Sequence, residues 1–596
     1  MLGSNFVPYT KTLNNASVIF GETVSVGKDD FGSFINERHT FIDKSMLIKE
    51  FIESSDSVSL ILRPRRFGKS TNLSMLRRFF EISHSQEEIF ISKKRKLFEK
   101  LKISTETKIM ENHLAKYPVI HISLKDLTAD NWDGMIINLR TLVADLYGEY
   151  RYIIDTLYPD EKNNYQRILA EDQTYPSLAF ALKQLSKYLQ RYHKKQCIVL
   201  IDEYDSPMEC AYNKGYFKIA NEFFKNMFSS LLKSNDTNVM KAMLVGVLQI
   251  AKSGFLSGLN NIQAYPLHSP LPIYTDKFGF TSDEVKLLLT MREELQIEDI
   301  QKWYDGYSAG GYVHLYNPWS IINMISKGTL CPYWTSTGST KTVKNFLWRA
   351  SSSFKKAVEE LLKGEAIADI KIQNDLEYLY LDQYQDTTIW TLLYYGGYLT
   401  MNLEKKLIIP NLEVRTEWIN WVTDMSFFKG GKTVISMLEH LLLGNLDSFK
   451  NEFECMVIDT LSFYDVGGSK SGKNAEYVYH AFCLGMFVVA RDRGYNVDSN
   501  REAGTGRYDV RIVPKSGAIS DAAVVIEFKV VDDMKNLQNI AQKALNQIEE
   551  KQYRATLQNE VRKVLEIGIA FKGKMSCVLG RSLRRNENNT WSESSQ

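Results

Sequence analysis

The chain of 596 residues is poor in cysteine, and what it has is dispersed. The six residues Cys197, Cys210, Cys331, Cys455, Cys483 and Cys577 stand singly, with no CxxC pair. This excludes a zinc finger or a disulfide-stapled scaffold and fits a reducing compartment. Cys197 and Cys483 lie in apolar runs and read as inert core thiols. There is no run of about 18 apolar residues, so no membrane-spanning helix and no membrane partner are expected. The opening MLGSNFVPYTKTLNN lacks the charged-then-apolar order of a secretion signal. A cytoplasmic or nuclear location follows as the expectation. Neither charge sign dominates: Lys and Arg number 73 against 71 Asp and Glu, a net charge of +2. Such a balance neither requires nor excludes nucleic acid, because local patches matter more than the sum. No internal repeat or long low-complexity tract stands out.

What is present is the composition of a globular protein, 44% hydrophobic and 12% aromatic with 32 Tyr. At about 100–200 residues per domain the length suggests about three to five domains. The sequence divides into an irregular N-terminus (1–27), an α/β domain (28–265), a helical middle or lid region (266–428), a second α/β domain (429–578) and a polar tail (579–596). Within the first α/β domain, Val58–Leu62, Val119–Ser123, Ile198–Ile201 and Ala242–Val247 are short apolar runs between long helical patterns. Nearly continuous apolar strands alternating with helices imply a parallel sheet covered on both faces. His121 lies inside one such run and reads as a satisfied strand residue.

The first run leads into Arg63-Pro-Arg-Arg-Phe-Gly-Lys-Ser70 and then a helical pattern. Strand, loop and GKS at a helix start form a phosphate site, because backbone N–H groups and the helix dipole face an anion. Arg65, Arg66, Phe67, Gly68, Lys69, Ser70 and Thr71 are the candidate nucleotide-binding residues. Lys69 would reach the β- and γ-phosphates and the Ser70 hydroxyl would ligate Mg2+. Gly68 permits close backbone approach. Arg63 stands where GxxxxGK[ST] has its first glycine, a departure from the pattern. The plain alternative is a basic surface turn.

A second element pairs with this loop. Cys197-Ile-Val-Leu-Ile-Asp-Glu-Tyr-Asp205 is an apolar strand ending in carboxylates. Asp202 then sits at the carboxyl edge of the sheet, where ligands bind in open α/β sheets. Asp202 is the candidate second Mg2+ contact and Glu203 the candidate base for the attacking water.

Near the C-terminus, Gly506-Arg-Tyr-Asp-Val-Arg-Ile-Val513 precedes the apolar strand Ala523-Val-Val-Ile-Glu-Phe-Lys-Val530. Glu527 and Lys529 share one face of a strand, because side chains alternate. A carboxylate and an ammonium on an apolar strand need a partner or a role. With Asp509 on a neighbouring strand, Asp509 and Glu527 form a candidate Mg2+ site, and Lys529 would polarise a water for phosphodiester attack. The alternative is a salt bridge along one strand face. Upstream, Glu476 offers a third acid on a helix, with His480 one turn on. Downstream, Ala541, Ala544, Leu545 and Ile548 form the apolar stripe of an amphipathic helix, with Gln547 beside it. Acid helix, Asp strand, Glu-x-Lys strand and helix make the layout of a restriction-endonuclease-like fold.

Taken together, the N-terminal region resembles the AAA-ATPase-like family marked by an RPRRFGKS/T phosphate loop. The segments Phe41–Ile48, Leu62–Ser70, Leu200–Pro207 and Ser257–Asn261 carry the resemblance. FGFT (Phe278–Thr281), WYDGY (Trp303–Tyr307) and YNPWS (Tyr316–Ser320) look like the same family. The C-terminal region resembles the PD-(D/E)xK nuclease domain, through Ser499–Asp509 and Ile526–Lys529. The resemblance implies that Arg63 is a family feature. It also implies Lys69 and Ser70 as nucleotide and Mg2+ ligands, Asp202 and Glu203 as the second nucleotide motif, and Asp509, Glu527 and Lys529 with Glu476 as the nuclease core. Gln249 departs from the Arg expected there, which sets nucleotide hydrolysis in question but not binding.

The expected protein is an α/β chain with a P-loop NTPase sheet, a helical middle and a nuclease-like domain. Its expected function is ATP binding and hydrolysis coupled to Mg2+-dependent cleavage of nucleic acid, DNA in the first instance, with a homo-oligomer through the ATPase domain. The alternative is a regulatory NTPase switch whose nuclease-like domain binds without cutting. Lys93–Lys96 and Arg581–Arg585 are basic clusters that read as solvated faces, and Trp303, Tyr304 and Tyr307 as packing aromatics more than a base-stacking platform.

Overall fold

The computed structural model describes residues 8–83, 88–248, 261–310, 313–334, 352–373, 386–423, 434–460, 487, 490, 493–531, 537–558, 560–572, 575–588 and 590–593. They fall into two compact units, Met1–Ala350 with Ala366–Arg415, and Ser351–Glu365 with Thr416–Gln596. Glu476, His480 and Gln249 lie outside the described residues.

In the first unit, Tyr9–Leu13 (β1) and Ala16–Phe20 (β2) form an antiparallel hairpin that Phe41–Ile42 (β3) extends. The expectation of an irregular segment over 1–27 fails here. The polar, solvent-facing run of β1 hides a strand whose partner β2 is buried throughout. Tyr9 stacks on Phe20 with ring centroids 5.2 Å apart.

The central sheet follows, from Val58–Leu62 (β4), the helix Lys69–Phe80 (α1), Val119–Ser123 (β5), Cys197–Asp202 (β6), Val239–Gly246 (β7) and Ile262–Tyr265 (β8). Its order is β5-β6-β7-β4-β8 and every pair is parallel. All residues of β4 and β6 are buried. VSLIL and CIVLID have no polar face because helices cover both sides. The expected strands are all present; β8 was not among them. β4 runs between β7 and β8, so the loop after it leaves from the middle of the carboxyl edge.

The middle stretch contributes helices and also small antiparallel ribbons. Phe280–Thr281 (β9), Tyr307–Ala309 (β10) and Val313–Tyr316 (β11) pair in the order β10-β11-β9. Asn317 caps the helix Pro318–Lys327 (α2) by accepting from the N–H of Trp319 at 2.9 Å. Thr400–Met401 (β12) pairs with Leu407–Ile408 (β13).

The second unit is a six-stranded sheet, Tyr495–Ala503 (β14), Gly506–Pro514 (β15), Ala522–Val530 (β16), Lys563–Lys572 (β17), Met575–Arg585 (β18) and Trp591–Glu593 (β19), in that order. Only β16 and β17 are parallel, and the helix Leu537–Glu550 (α3) lies between them in sequence, as a parallel connection requires. The expected polar tail from 579 is therefore part of the sheet up to Glu593. Arg585 lies 4.7 Å from the centroid of the Trp591 ring, which pins the last strand.

Alternation divides β16 between two cores. Val524, Ile526 and Phe528 join one cluster, which includes Leu438, Leu441 and Phe453. Ala523 and Val525 face the other, with Leu545 and Ile548 of α3. Glu527 and Lys529 continue this second row, on the face that α3 covers. Gly568 of β17 stands beside Glu527 and sets how close α3 lies. A Cβ at Gly568 would meet the Ala541 carbonyl oxygen at 2.3 Å and the Leu545 nitrogen at 2.5 Å. Both are backbone atoms that cannot yield without moving the helix. Gly568→Ala should therefore destabilise the protein by about 1–3 kcal/mol, read as a lower denaturant midpoint. An unchanged midpoint would contradict this packing.

Candidate nucleotide and phosphodiester sites

The phosphate loop follows from what terminates β4. Arg66 has φ +66° and Gly68 φ +77°, so the loop turns through two left-handed residues before α1 begins at Lys69. Arg63 explains its departure from the glycine pattern. Its side chain turns inward and is 2% exposed. The guanidinium donates to the carbonyls of Leu62 at 2.9 Å, Tyr265 at 2.7 Å and Tyr274 at 3.2 Å. It stitches β4 to β8 and does not face the phosphate site. Burial pulls its pKa down to about 10, which still leaves it charged at neutral pH.

The motifs of the middle stretch hold the loop residue by residue. Phe278 lies under the Arg63 guanidinium at 5.8 Å. The Gly279 N–H donates to the Phe67 carbonyl at 3.1 Å. Phe67 is fully buried, edge-on to Tyr307 at 5.1 Å. The Asn317 amide and the Trp334 indole both donate to the Arg65 carbonyl, at 3.3 and 3.1 Å. Arg66 stacks on Trp319 at 4.3 Å, and the Arg65 guanidinium pairs with Glu209 at 3.1 Å. Phe67 is thus a packing residue of the loop and contributes no side-chain contact to a phosphate. Tyr304 and Tyr307 are buried, which excludes both as base-stacking surfaces.

Lys69 is 6% exposed and donates to the carbonyls of Arg63 at 3.0 Å and Pro64 at 2.8 Å. Burial lowers its pKa, against the pull of Glu203, Asp202 and Asp205. Asp202 ends β6 at 4% exposure, and its Oδ1 is buried with no hydrogen-bond partner. Burial raises its pKa, while a hydrogen bond with Ser70 opposes the rise. Ser70 and Asp202 therefore come together as the sequence implied. They suit a hard divalent cation, since a hydroxyl and a carboxylate oxygen with open valence are the ligands such ions take. Glu203 follows with φ +46°, an unusual conformation for a residue with a Cβ. Thr71 lies in the first turn of α1, partly exposed.

Sequence reasoning missed two carboxylates. Asp205 accepts from the N–H groups of Val247 at 2.9 Å and Leu248 at 2.8 Å, tying the end of β7 to the Asp202 turn. Gly246 permits this approach, since a Cβ there would lie 2.5 Å from the Tyr204 ring. Glu413 is 1% exposed and accepts from Ser320 Oγ and the Trp334 N–H, each at 2.7 Å. Burial pushes its pKa up to about 7. The repeated carboxylate of DEYD was the available signal for Asp205; nothing local marks Glu413. His121 is half-buried and held near pKa 4 by burial, in line with a strand residue. Lys94 and Arg581, read as solvated, pair inward: Lys94 with Glu81 at 3.7 Å, and Arg581 with the fully buried Glu566 at 2.8 Å.

In the second unit, Asp509 on β15 and Glu527 and Lys529 on β16 meet at one place. Asp509 Oδ2 accepts from the Phe528 N–H at 2.7 Å. Lys529 Nζ donates to Glu527 Oε1 at 3.1 Å, and Gln547 of α3 donates to the same oxygen. Gln547 also donates to the Tyr553 hydroxyl at 3.3 Å. Glu527 is 3% exposed, and its Oε2 has no hydrogen-bond partner. Burial first, then the Asp509 charge, pushes its pKa up to about 8. Among the described residues no three or more Asp, Glu, His or Cys side chains are grouped so as to hold a metal ion. The pair Asp509 and Glu527 still fits a hard cation, because the unpartnered Oε2 and the raised pKa are both relieved by positive charge.

Residues 25–256 match the family described as Predicted AAA-ATPase, and residues 474–579 match the PD-(D/E)XK nuclease superfamily. An uncharacterized protein in the vnfD 5'region of Azotobacter chroococcum mcd 1 is 24% identical over 563 residues, covering 91% of this chain and 94% of that protein. Among the described residues no helix is long and apolar enough to cross a membrane.

The raised pKa of Glu527 has a stability consequence. The folded state binds this proton more tightly than the unfolded chain, whose glutamate titrates near 4.5. Its contribution is thus fully favourable below about pH 4.5 and is lost as pH rises through about 8. In metal-free buffer, Glu527→Gln should flatten the fall of Tm across that window. A parallel fall in both proteins would contradict a buried, protonated Glu527.

Proposed function

We propose that this fusion of an AAA-ATPase-like domain with a PD-(D/E)XK nuclease superfamily domain is an ATP-binding ATPase coupled to Mg2+-dependent cleavage of nucleic acid, DNA in the first instance. One observation carries the reading. Each sheet ends in a buried carboxylate with an unpartnered oxygen beside a lysine, Asp202 with Lys69 and Glu527 with Lys529. Anionic substrates with a divalent cation satisfy all four groups at once.

In the first unit, Lys69 would exchange its two loop carbonyls for phosphate oxygens, and the N–H groups at the start of α1 would face the same anion. Ser70 and Asp202 would hold the Mg2+, which neutralises phosphate charge. Glu203 would orient the attacking water and accept its proton. Arg65 and Arg66 would lie at the loop crown as further phosphate contacts. In the second unit, Asp509 and Glu527 would hold Mg2+, which supplies Lewis acidity and an acidified water. Lys529 would lie on the phosphate or the water, with its ammonium offsetting charge as it develops. Gln547 fixes Glu527 Oε1, leaving Oε2 for the cation. Glu476 keeps its place in the proposal as a third acid.

Calorimetry and cleavage assays test the two halves separately. Lys69→Ala should abolish Mg·ATP binding, and Glu203→Gln should retain binding while slowing hydrolysis by about a hundredfold or more. Labelled DNA incubated with Mg2+ should be cut by the wild type and about a hundredfold more slowly by Lys529→Ala. An effect of ATP on that rate would establish coupling. A folded, ATP-binding protein that cuts nothing would instead favour a regulatory switch.

A further inference from the structure

Beside Lys529 a cleft of about 350 Å3 opens along α3, lined by Lys529, Ile540, Lys543, Asn546, Gln547 and Glu550. We infer that this cleft receives one unpaired nucleotide next to the cleaved phosphodiester, so the substrate is a single strand or an unpaired end and not an intact duplex. The inference rests on the nuclease reading above and names the substrate class of that site.

Size and chemistry both point this way. The volume lies at the lower end of small-ligand clefts, which run from about 300 to 1,000 Å3, and suits one nucleotide. A surface that grips only duplex backbone presents cations, because a duplex turns its phosphates outward. This cleft carries two cations, but also two amides, an apolar side chain and a carboxylate. Glu550 would repel a phosphate and would accept from an exocyclic amino group. Ile540 offers an apolar contact to a base. Gln542 donates to Asn546 Oδ1 at 2.9 Å, which leaves the Asn546 N–H groups to donate to a base edge. The Watson–Crick edges are open on unpaired bases and covered by pairing in a duplex, whose remaining edges are reached only from within a groove. A base splayed out of a strand, by contrast, can enter a cleft of this size.

The order along the helix is equally specific. Ile540, Lys543, Gln547 and Glu550 recur at helical spacing and share one face. From Ile540 to Glu550 that face runs about 15 Å at 1.5 Å per residue. Gln547, bound to Glu527, fixes the cleft against the reacting end of β16. Lys543 lies within the same cleft and would take the phosphate adjoining the cut bond.

The test uses the full chain in EDTA, where no cutting occurs, with labelled single-stranded DNA, the same sequence as duplex DNA, and single-stranded RNA. The wild type should bind single strands more tightly than duplex. Lys543→Gln with Asn546→Ala should weaken single-strand binding about tenfold and leave duplex binding within about twofold. Lys543→Gln alone should make the salt dependence shallower by about 0.7 in log–log slope, one phosphate contact on a single strand. Both positions are solvent-exposed, so melting curves should match the wild type. Preference for the DNA or the RNA arm identifies the sugar of the strand. Equal losses on duplex and single strand, or no loss on either, would overturn the inference. If the wild type cuts DNA while these variants bind unchanged, this inference falls alone. If the wild type neither binds nor cuts any strand, the nuclease reading falls with it.

Discussion

Among the described residues four buried carboxylate oxygens have no hydrogen-bond partner, and two of them, Asp202 Oδ1 and Glu527 Oε2, stand at strand ends with a lysine close by. Holding such an oxygen ionised and unpaired in an apolar setting costs several kcal/mol, so burial favours the protonated carboxyl until a cation arrives. Each of the two stands near the carboxyl end of a largely apolar strand, with Lys69 across the phosphate loop from the first and Lys529 on the same strand as the second. The surrounding architecture keeps these oxygens in place. β6 and β16 are pinned by strands on both sides, so neither carboxylate can reach water by a small shift. The raised pKa values of both groups express the same strain in another form.

Around the first carboxylate, the phosphate loop gains its shape from residues far along the chain. Arg63 spends its guanidinium on carbonyls of β8 and the following segment, so it replaces backbone flexibility with a fixed brace. Asn317 and Trp334 hold the Arg65 carbonyl, and Gly279 holds that of Phe67. A loop braced in this way is pre-organised, which reduces the ordering needed when an anion arrives. The middle stretch therefore braces the phosphate loop. Around the second carboxylate the brace is α3, seated close by Gly568 and bonded through Gln547.

Much of this was legible in the sequence because it rests on local pattern. VSLIL, VIHIS and CIVLID announce buried parallel strands, and RRFGKS announces a phosphate turn. Glu527 and Lys529 could be placed on one face by strand alternation alone, and Gln547 by its place beside an apolar stripe. What escaped was non-local. β1 shows solvent a polar face and reads as loop until β2 is laid against it. β18 mixes buried and exposed residues without clean alternation, so it reads as tail. The inward turn of Arg63 and the burial of Glu413 depend on partners distant in sequence. No window of sequence contains both halves of such a contact.

The central claim is that the two strand-end carboxylates are kept unpaired for a divalent cation. The most direct test is calorimetric titration of the nucleotide-free protein with Mn2+, for wild type and for Asp509→Asn with Glu527→Gln. Without nucleotide phosphates, the second-unit site is the one expected to bind the ion. The account predicts saturable binding by the wild type, with proton release near neutral pH as Glu527 ionises, and its loss in the double variant. Identical titrations of the two proteins would contradict it.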